Sequence, residues 1–160
     1  MERSETPFPV DAQQSAPSRA SIKLAAALAA RLNAVVPDPF SVRAEGAWVS
    51  LYCGNAFDSS SSVAGVLDQE VDPEVAASER HSFAWFAASV SESVLSSVQD
   101  GISETTAEPW PSLSPGRMAF SGTRTDGEAV YLWYGPDDER EIEAVIAFSP
   151  IVVVDLLNPS

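Results

Sequence analysis

Apolar residues recur at helical spacing in two stretches of the chain and alternate at strand spacing in several others, and this pattern orders the whole. Phe83, Phe86, Val90, Val94, Val98 and Ile102 follow one another at steps of three and four, and Ala87 and Leu95 widen the stripe. Ser89, Glu92, Ser93, Ser96 and Asp100 take the opposite side, so the spacing predicts one long amphipathic helix from Asp72 to about Thr106. Asp72 suits the N-cap, Pro73 the first helical position, and Glu74 and Glu79 the positive end of the helix dipole. Glu108-Pro109-Trp110-Pro111 ends it. Some thirty residues in a helix would run about 45 Å, long for a small domain, so a bend near Gly101 or an earlier end is expected.

A shorter helix is predicted upstream. Leu24, Leu28, Leu32 and Val35 share a stripe in an alanine-rich segment, with Ser21 as cap and Pro37 as stop. Between the two helices, Phe40 to Ala44 and Ala47 to Cys53 alternate around Glu45-Gly46, which reads as a two-residue hairpin turn. That register sets Val42 against Val49 and Phe40 against Leu51 on one face, and Arg43 against Trp48 on the other. Gly54 to Ser62, with four consecutive serines, reads as a loop, and Val63 to Leu67 stays open between strand and helical turn.

After the long helix, Arg117 to Thr125 and Glu128 to Tyr134 flank Asp126-Gly127, a strong hairpin signal. Its two-residue register pairs Phe120 with Trp133 and Gly122 with Tyr131. A second turn over Gly135 to Arg140 leads to a far strand, Glu141 to Phe148, with Ile142, Ala144, Ile146 and Phe148 on one face. Pro150 interrupts it, and Ile151 to Val154 resumes as a strand end or edge segment. The order helix, hairpin, long helix, three-stranded meander predicts an α+β fold: a two-layer sandwich on an antiparallel sheet of about five strands. Residues 1–20 hold three prolines and no apolar period, which predicts a disordered tail before a single domain over 21–160.

Composition changes this picture mainly by exclusion. Twenty-three acids against nine bases give the 160 residues a formal charge of −14. Arg19, Lys23 and Arg31 are the nearest thing to a basic cluster, so nucleic acid is not expected as a partner. A basic protein partner suits the field, although acidity of this size also serves solubility alone. One cysteine, Cys53, rules out an intramolecular disulfide. With no basic start leading into an apolar run, a reducing cytoplasmic location is expected. Ile151 to Leu157 is broken by Asp155 and far short of the roughly 20 residues a bilayer needs, so no membrane association is expected.

Candidate chemistry is sparse. Asp68, Glu70, Asp72 and Glu79 match the ligand spacing of a calcium loop, but Pro73 stands where that loop requires a left-handed glycine, and capping explains the same residues. Asp137, Asp138, Glu139, Glu141 and Glu143 read as a solvated turn. One His, His81, cannot build a zinc site with Cys53 alone, and no nucleophile elbow surrounds Ser59 to Ser62. No catalytic residue, metal ligand or cofactor is therefore assigned.

The aromatic residues remain. Trp48 and Tyr52 project opposite to Val49 and Leu51, and Tyr131 and Trp133 opposite to Val130 and Leu132, so each hairpin is apolar on both sides. Either the helices or a second subunit cover both, the latter as a homodimer through the sheet, or one side offers an aromatic patch to a partner. Trp48, Tyr52, Tyr131 and Trp133 are the candidate partner-binding residues. The reading is a non-enzymatic, acidic, adaptor-like or chaperone-like module that binds a protein through its sheet. Its alternatives are a carboxylate-dependent hydrolase and an immunity-type inhibitor of a basic protein. An open cleft with converging carboxylates would favour the hydrolase.

Overall fold

A computed structural model describes residues 18–63 and 77–157, with side chains in the second stretch from Ser82 onward. The cap at Asp72, the calcium-type spacing from Asp68 to Glu79, the His81 ring and residues 1–17 lie outside the described residues. Three helices, α1 (Arg19–Asn33), α2 (Ala77–Thr106) and α3 (Val153–Leu157), are found among them. The strands are β1 (Phe40–Glu45), β2 (Trp48–Cys53), β3 (Ala56–Ser62), β4 (Ser112–Ser114), β5 (Arg117–Met118), β6 (Phe120–Thr125), β7 (Ala129–Gly135), β8 (Ile146–Ala147) and β9 (Ile151–Val152).

The class is α+β, as the pattern predicts, but the strands divide among three antiparallel sheets instead of joining one of about five. The first sheet has the order β1-β2-β3, β4 and β5 form a small pair, and in the last β7 pairs with β6 on one side and with β8 and β9 on the other. Length is the physical reason. The strands are six or seven residues at most, about 20 Å, whereas α2 has 30 residues, and one small sheet cannot cover its apolar stripe.

The two sheets accordingly pack at different levels of α2. Along its middle, Thr123 Oγ1 donates to the Ala88 carbonyl at 3.1 Å, Ser121 Oγ to Glu92 Oε2 at 2.8 Å, and Tyr134 OH to the Leu95 carbonyl at 2.7 Å. Burial pushes the Tyr134 phenol well up from its ordinary value, and the Asp100 and Glu92 charges add to it. Near the C-terminal end, Thr105 Oγ1 donates to Asp58 Oδ2 at 2.8 Å. There Gly101 lets the helix press on the first sheet, since a Cβ on it would stand 2.7 Å from Leu51 Cδ2 and 3.0 Å from Asp58 Oδ1. The expected bend at Gly101 is thus replaced by a close contact within a continuous helix. The helix stops where predicted, and Ala107 takes a left-handed φ of 60° just beyond it.

The core stripe is shifted from the predicted one. Phe83, Ala84, Ala87, Ala88, Val94, Leu95, Val98 and Ile102 are buried, whereas Phe86 is exposed and Val90 only partly buried. A helix wedged between two sheets buries a broad face, and small Ala84 and Ala88 let the backbones approach where Phe86 would not fit.

Helix α1 covers the inner face of the first sheet with Leu24, Leu28 and Leu32, opposite Phe40, Val42, Val49 and Leu51. Its cap is Ser18, whose oxygen accepts from the Ser21 amide at 3.1 Å, three residues before the predicted Ser21. Residues 19 and 20 therefore belong to the helix. Asn33 Oδ1 accepts the Val42 amide at 2.9 Å on the outer edge of β1.

Both predicted hairpins form, each with its register moved by two residues. Glu45 pairs with Trp48 around Gly46-Ala47, so Val42 faces Leu51 and Phe40 faces Cys53. In the second, Thr125 pairs with Val130, because Asp126 Oδ1 accepts the amides of Glu128 and Ala129 and draws both into the turn. A two-residue shift leaves every side chain on its predicted face, but Gly122 now stands against Trp133 and Phe120 against Gly135. The predicted far strand over 141–148 keeps only Ile146–Ala147, with Ile142 exposed.

Val94 is buried on α2 and Ser93 is exposed one residue away. Val94→Asp is expected to abolish the cooperative melting transition, whereas Ser93→Asp is expected to change stability by less than about 0.5 kcal/mol; equal effects would overturn the assigned face. A Cβ at Gly122 would lie 2.4 to 2.6 Å from three atoms of the buried Trp133 ring. Gly122→Ala is therefore expected to lower unfolding free energy by about 1–3 kcal/mol in urea titration, and an unchanged midpoint would show that the ring yields freely.

Candidate functional site

The candidate residues fall on two different sheets and meet different fates. Trp133 is fully buried: Gly122 leaves a slot for its ring, Nε1 donates to the Asp137 carbonyl at 2.8 Å, and the chain from 136 to 145 folds across it. That segment is held close by Gly135, where a Cβ would stand 3.0 Å from Ala144 Cα, and by the Val145 amide donating to the Tyr134 carbonyl at 2.9 Å. The chain therefore closes over Trp133, which offers no surface to a partner, while Phe120 on the same outer face is 51% exposed. Tyr131, two residues back, is half-buried.

The outer face of the first sheet is open. It reads as three rows: Ser41, Arg43 and Glu45 on β1; Tyr52, Ser50 and Trp48 on β2; Phe57, Ser60 and Ser62 on β3. Trp48 is 48% exposed and Phe57 59%, so the described residues bury neither ring. Tyr52 is half-buried, with the Phe57 ring edge-on at 5.7 Å between centroids. The sheet thus presents two exposed rings at opposite ends of its face, Trp48 opposite Ser62 and Phe57 opposite Tyr52, with Ser50 buried between them.

Phe57 is not readable as a site residue from the sequence, because the stretch that holds it has the composition of a loop. Serine carries little strand preference, and Ser59 to Ser62 mask the alternation. The signal available is Gly54-Asn55, a two-residue hairpin dipeptide between Cys53 and Ala56, with Gly54 at φ 63°. Val63 closes the strand, buried, its amide donating to the Ala47 carbonyl at 2.8 Å.

One polar device recurs on both outer faces. On the first, the Arg43 guanidinium lies 4.2 Å from the Tyr52 ring centroid, and Tyr52 OH donates to Glu45 Oε2 at 2.7 Å. On the last, Arg124 lies 4.1 Å from the Tyr131 ring, and Tyr131 OH donates to Asp126 Oδ2 at 3.2 Å. In each case the carboxylate stands two residues after the arginine, and the tyrosine on the neighbouring strand receives the cation on its face. Ser50 Oγ gives Glu45 a second hydrogen bond at 2.7 Å.

A separate groove runs between α2 and the β5–β6 segment. Its volume is about 430 Å³, and Glu92, Gln99, Asp100, Met118, Phe120 and Asp138 are among its lining residues. Cys53 is half-buried at the end of β2. Among the described residues, no group of three or more His, Cys, Asp or Glu is placed to hold a metal ion, and no helix is long and apolar enough to cross a membrane. No protein-family model matches the chain, and neither a curated protein nor a solved structure matches it.

The hydrogen bonds from Ser50, and next Tyr52, hold the Glu45 carboxyl below its usual range, and the bond to Glu45 raises the Tyr52 phenol. Because the folded Glu45 value is depressed, its contribution is complete above the ordinary glutamate range and is lost as pH falls through the lowered value. Tyr52→Phe with Ser50→Ala is expected to move the Glu45 carboxyl titration, followed by NMR, upward toward the ordinary value. An unmoved titration would mean that these hydroxyls do not set it.

Proposed function

We propose that the chain is a non-enzymatic, adaptor-like or chaperone-like protein-binding module whose first sheet receives an apolar segment of a basic partner. The observation that carries this reading is the exposure of the Trp48 and Phe57 rings at the two ends of the outer face of β1–β3, where Trp133 of the last sheet is fully buried. A large exposed ring loses apolar contact with water when a partner covers it, and such rings are the residues that commonly dominate interfaces. The formal charge of −14 supports a partner of opposite sign and disfavours a second copy, which would bring two acidic surfaces together. An inhibitor of a basic protein is the special case of this reading that charge alone supports. The lone cysteine is consistent with a reducing, cytoplasmic setting.

The hydrolase reading would use the groove beside α2, with its three acids Glu92, Asp100 and Asp138. Acid and base roles need carboxyl groups held in contrasting surroundings; Glu92 is half-buried and accepts from Ser121 Oγ while Asp100 and Asp138 are exposed, so the groove keeps hydrolysis as the second reading and the exposed rings make binding the first.

Affinity purification from the native cell with wild-type and Trp48→Ala baits tests it. Trp48→Ala is expected to melt as the parent does and to lose the co-purifying protein through faster dissociation, with a loss of roughly 2 kcal/mol or more in the isolated complex. Raised salt is expected to slow association chiefly. If Trp48→Ala unfolds the chain, or keeps every partner, the sheet face is not the binding surface.

A further inference from the structure

The groove between α2 and β5–β6 combines apolar and acidic walls without a base. Met118 and Phe120 stand on it, the latter 51% exposed, and Glu92, Asp100 and Asp138 line it. Its floor is fixed from below. Gln99, buried, donates through Nε2 to the Ala119 carbonyl, and Ser121 Oγ donates to Glu92 Oε2. The groove is therefore shaped before anything occupies it, and its volume of about 430 Å³ lies within the range of small binding sites.

The chain shows elsewhere what an aromatic ring beside a carboxylate holds. Twice, at Tyr52 with Glu45 and at Tyr131 with Asp126, an arginine of the chain itself lies over the ring at 4.2 and 4.1 Å. Phe120 and the three acids line one groove, and no Lys or Arg is among its lining residues.

We propose that this groove receives a lysine or arginine side chain presented by a basic segment of a partner protein, its alkyl stem against Met118 and its cation between the Phe120 ring and the carboxylates of Asp100, Asp138 and Glu92. Three features select this occupant. Charge complementarity favours a cation, and the exposed ring adds attraction for one carried on an organic stem over a hydrated inorganic ion. The thioether of Met118 adapts to such a stem. The field of the whole chain raises the encounter rate of any basic partner without choosing where it lands; the groove supplies the choice. The site is independent of the Trp48 face, and the two readings fail separately.

The full chain labelled with ¹³C at methionine methyls provides the test, because it has two methionines, Met1 and Met118, and the second lines the groove. The probes are two short peptides of alternating leucine with arginine or with glutamate. The arginine peptide is expected to shift the Met118 methyl saturably, and the glutamate peptide to leave it in place. Phe120→Ala is expected to weaken the fitted affinity about fivefold and Asp100→Asn with Asp138→Asn about tenfold, with Glu128→Gln, an exposed acid outside the groove, neutral. Should Phe120→Ala fail to fold, Phe120→Leu, which keeps an apolar strand residue and removes the π face, is expected to weaken binding by about the same factor. Binding of the arginine peptide with an unmoved Met118 methyl would show general attraction to an acidic surface and overturn the proposal. An equal loss on Trp48→Ala would place the peptide on the sheet face instead, and a saturable Met118 shift with calcium chloride alone would make the groove an inorganic cation site.

Discussion

A helix of 30 residues with a broad apolar face is the constraint to which the rest of the structure answers. No six-residue strand pair can cover such a length, so the chain builds two sheets and sets them at different levels of α2. Contact at the C-terminal level depends on Gly101 having no side chain beyond hydrogen, since Leu51, Asp58 and Ser59 occupy the space where one would stand. Contact along the middle is made by hydroxyls reaching the helix: Ser121, Thr123 and Tyr134 each donate to it. Helix α1 then closes the first sheet from the other end, and the core runs continuously through all of these elements.

The two sheets, similar in plan, are finished differently. Each carries a tyrosine gripped by an arginine and a carboxylate on its outer side. In the last sheet the segment after Gly135 doubles back and hides Trp133, with Asp137 providing the carbonyl that its indole needs. In the first, the chain goes from Cys53 through a tight turn into β3 and adds a third row of small polar residues and one ring. The difference between the buried Trp133 and the exposed Trp48 thus comes from the segment that leaves each hairpin, a returning loop in one sheet and one more strand in the other.

Much of this is legible in the residues. The helices, both hairpins and the side to which Trp48, Tyr52, Tyr131 and Trp133 point come from periodicity, because faces survive a two-residue slip in register. The register itself depends on Asp126 capping two amides and on which residues of Glu45-Gly46-Ala47 form the turn, and periodicity does not carry that information. The third strand is hidden by serines, whose strand character comes from pairing with β2 and not from their own preference. The burial of Trp133 is hidden for another reason: it is a property of residues 136–145, whose acids look like any solvated turn until the backbone carbonyl of Asp137 meets the indole. The groove leaves no local trace in the sequence, because its walls come from α2, from β5–β6 and from Asp138, which lie far apart along the chain.

Arg31 ties the first helix to the far end of the chain. Its guanidinium donates to the carbonyls of Ser149 at 2.7 Å and Pro150 at 3.0 Å, partners up to 119 residues later in sequence, and Lys23 reaches the Asp155 carbonyl at 3.3 Å. These acceptors are made 118 to 132 residues after the side chains that reach them. At synthesis rates of about 5–20 residues per second, α1 and the first sheet spend on the order of ten seconds without them. Early in that interval the first sheet, open on its aromatic face in the finished protein as well, also lacks the C-terminal end of α2 that packs on it, so the nascent chain carries more uncovered apolar surface than the finished one.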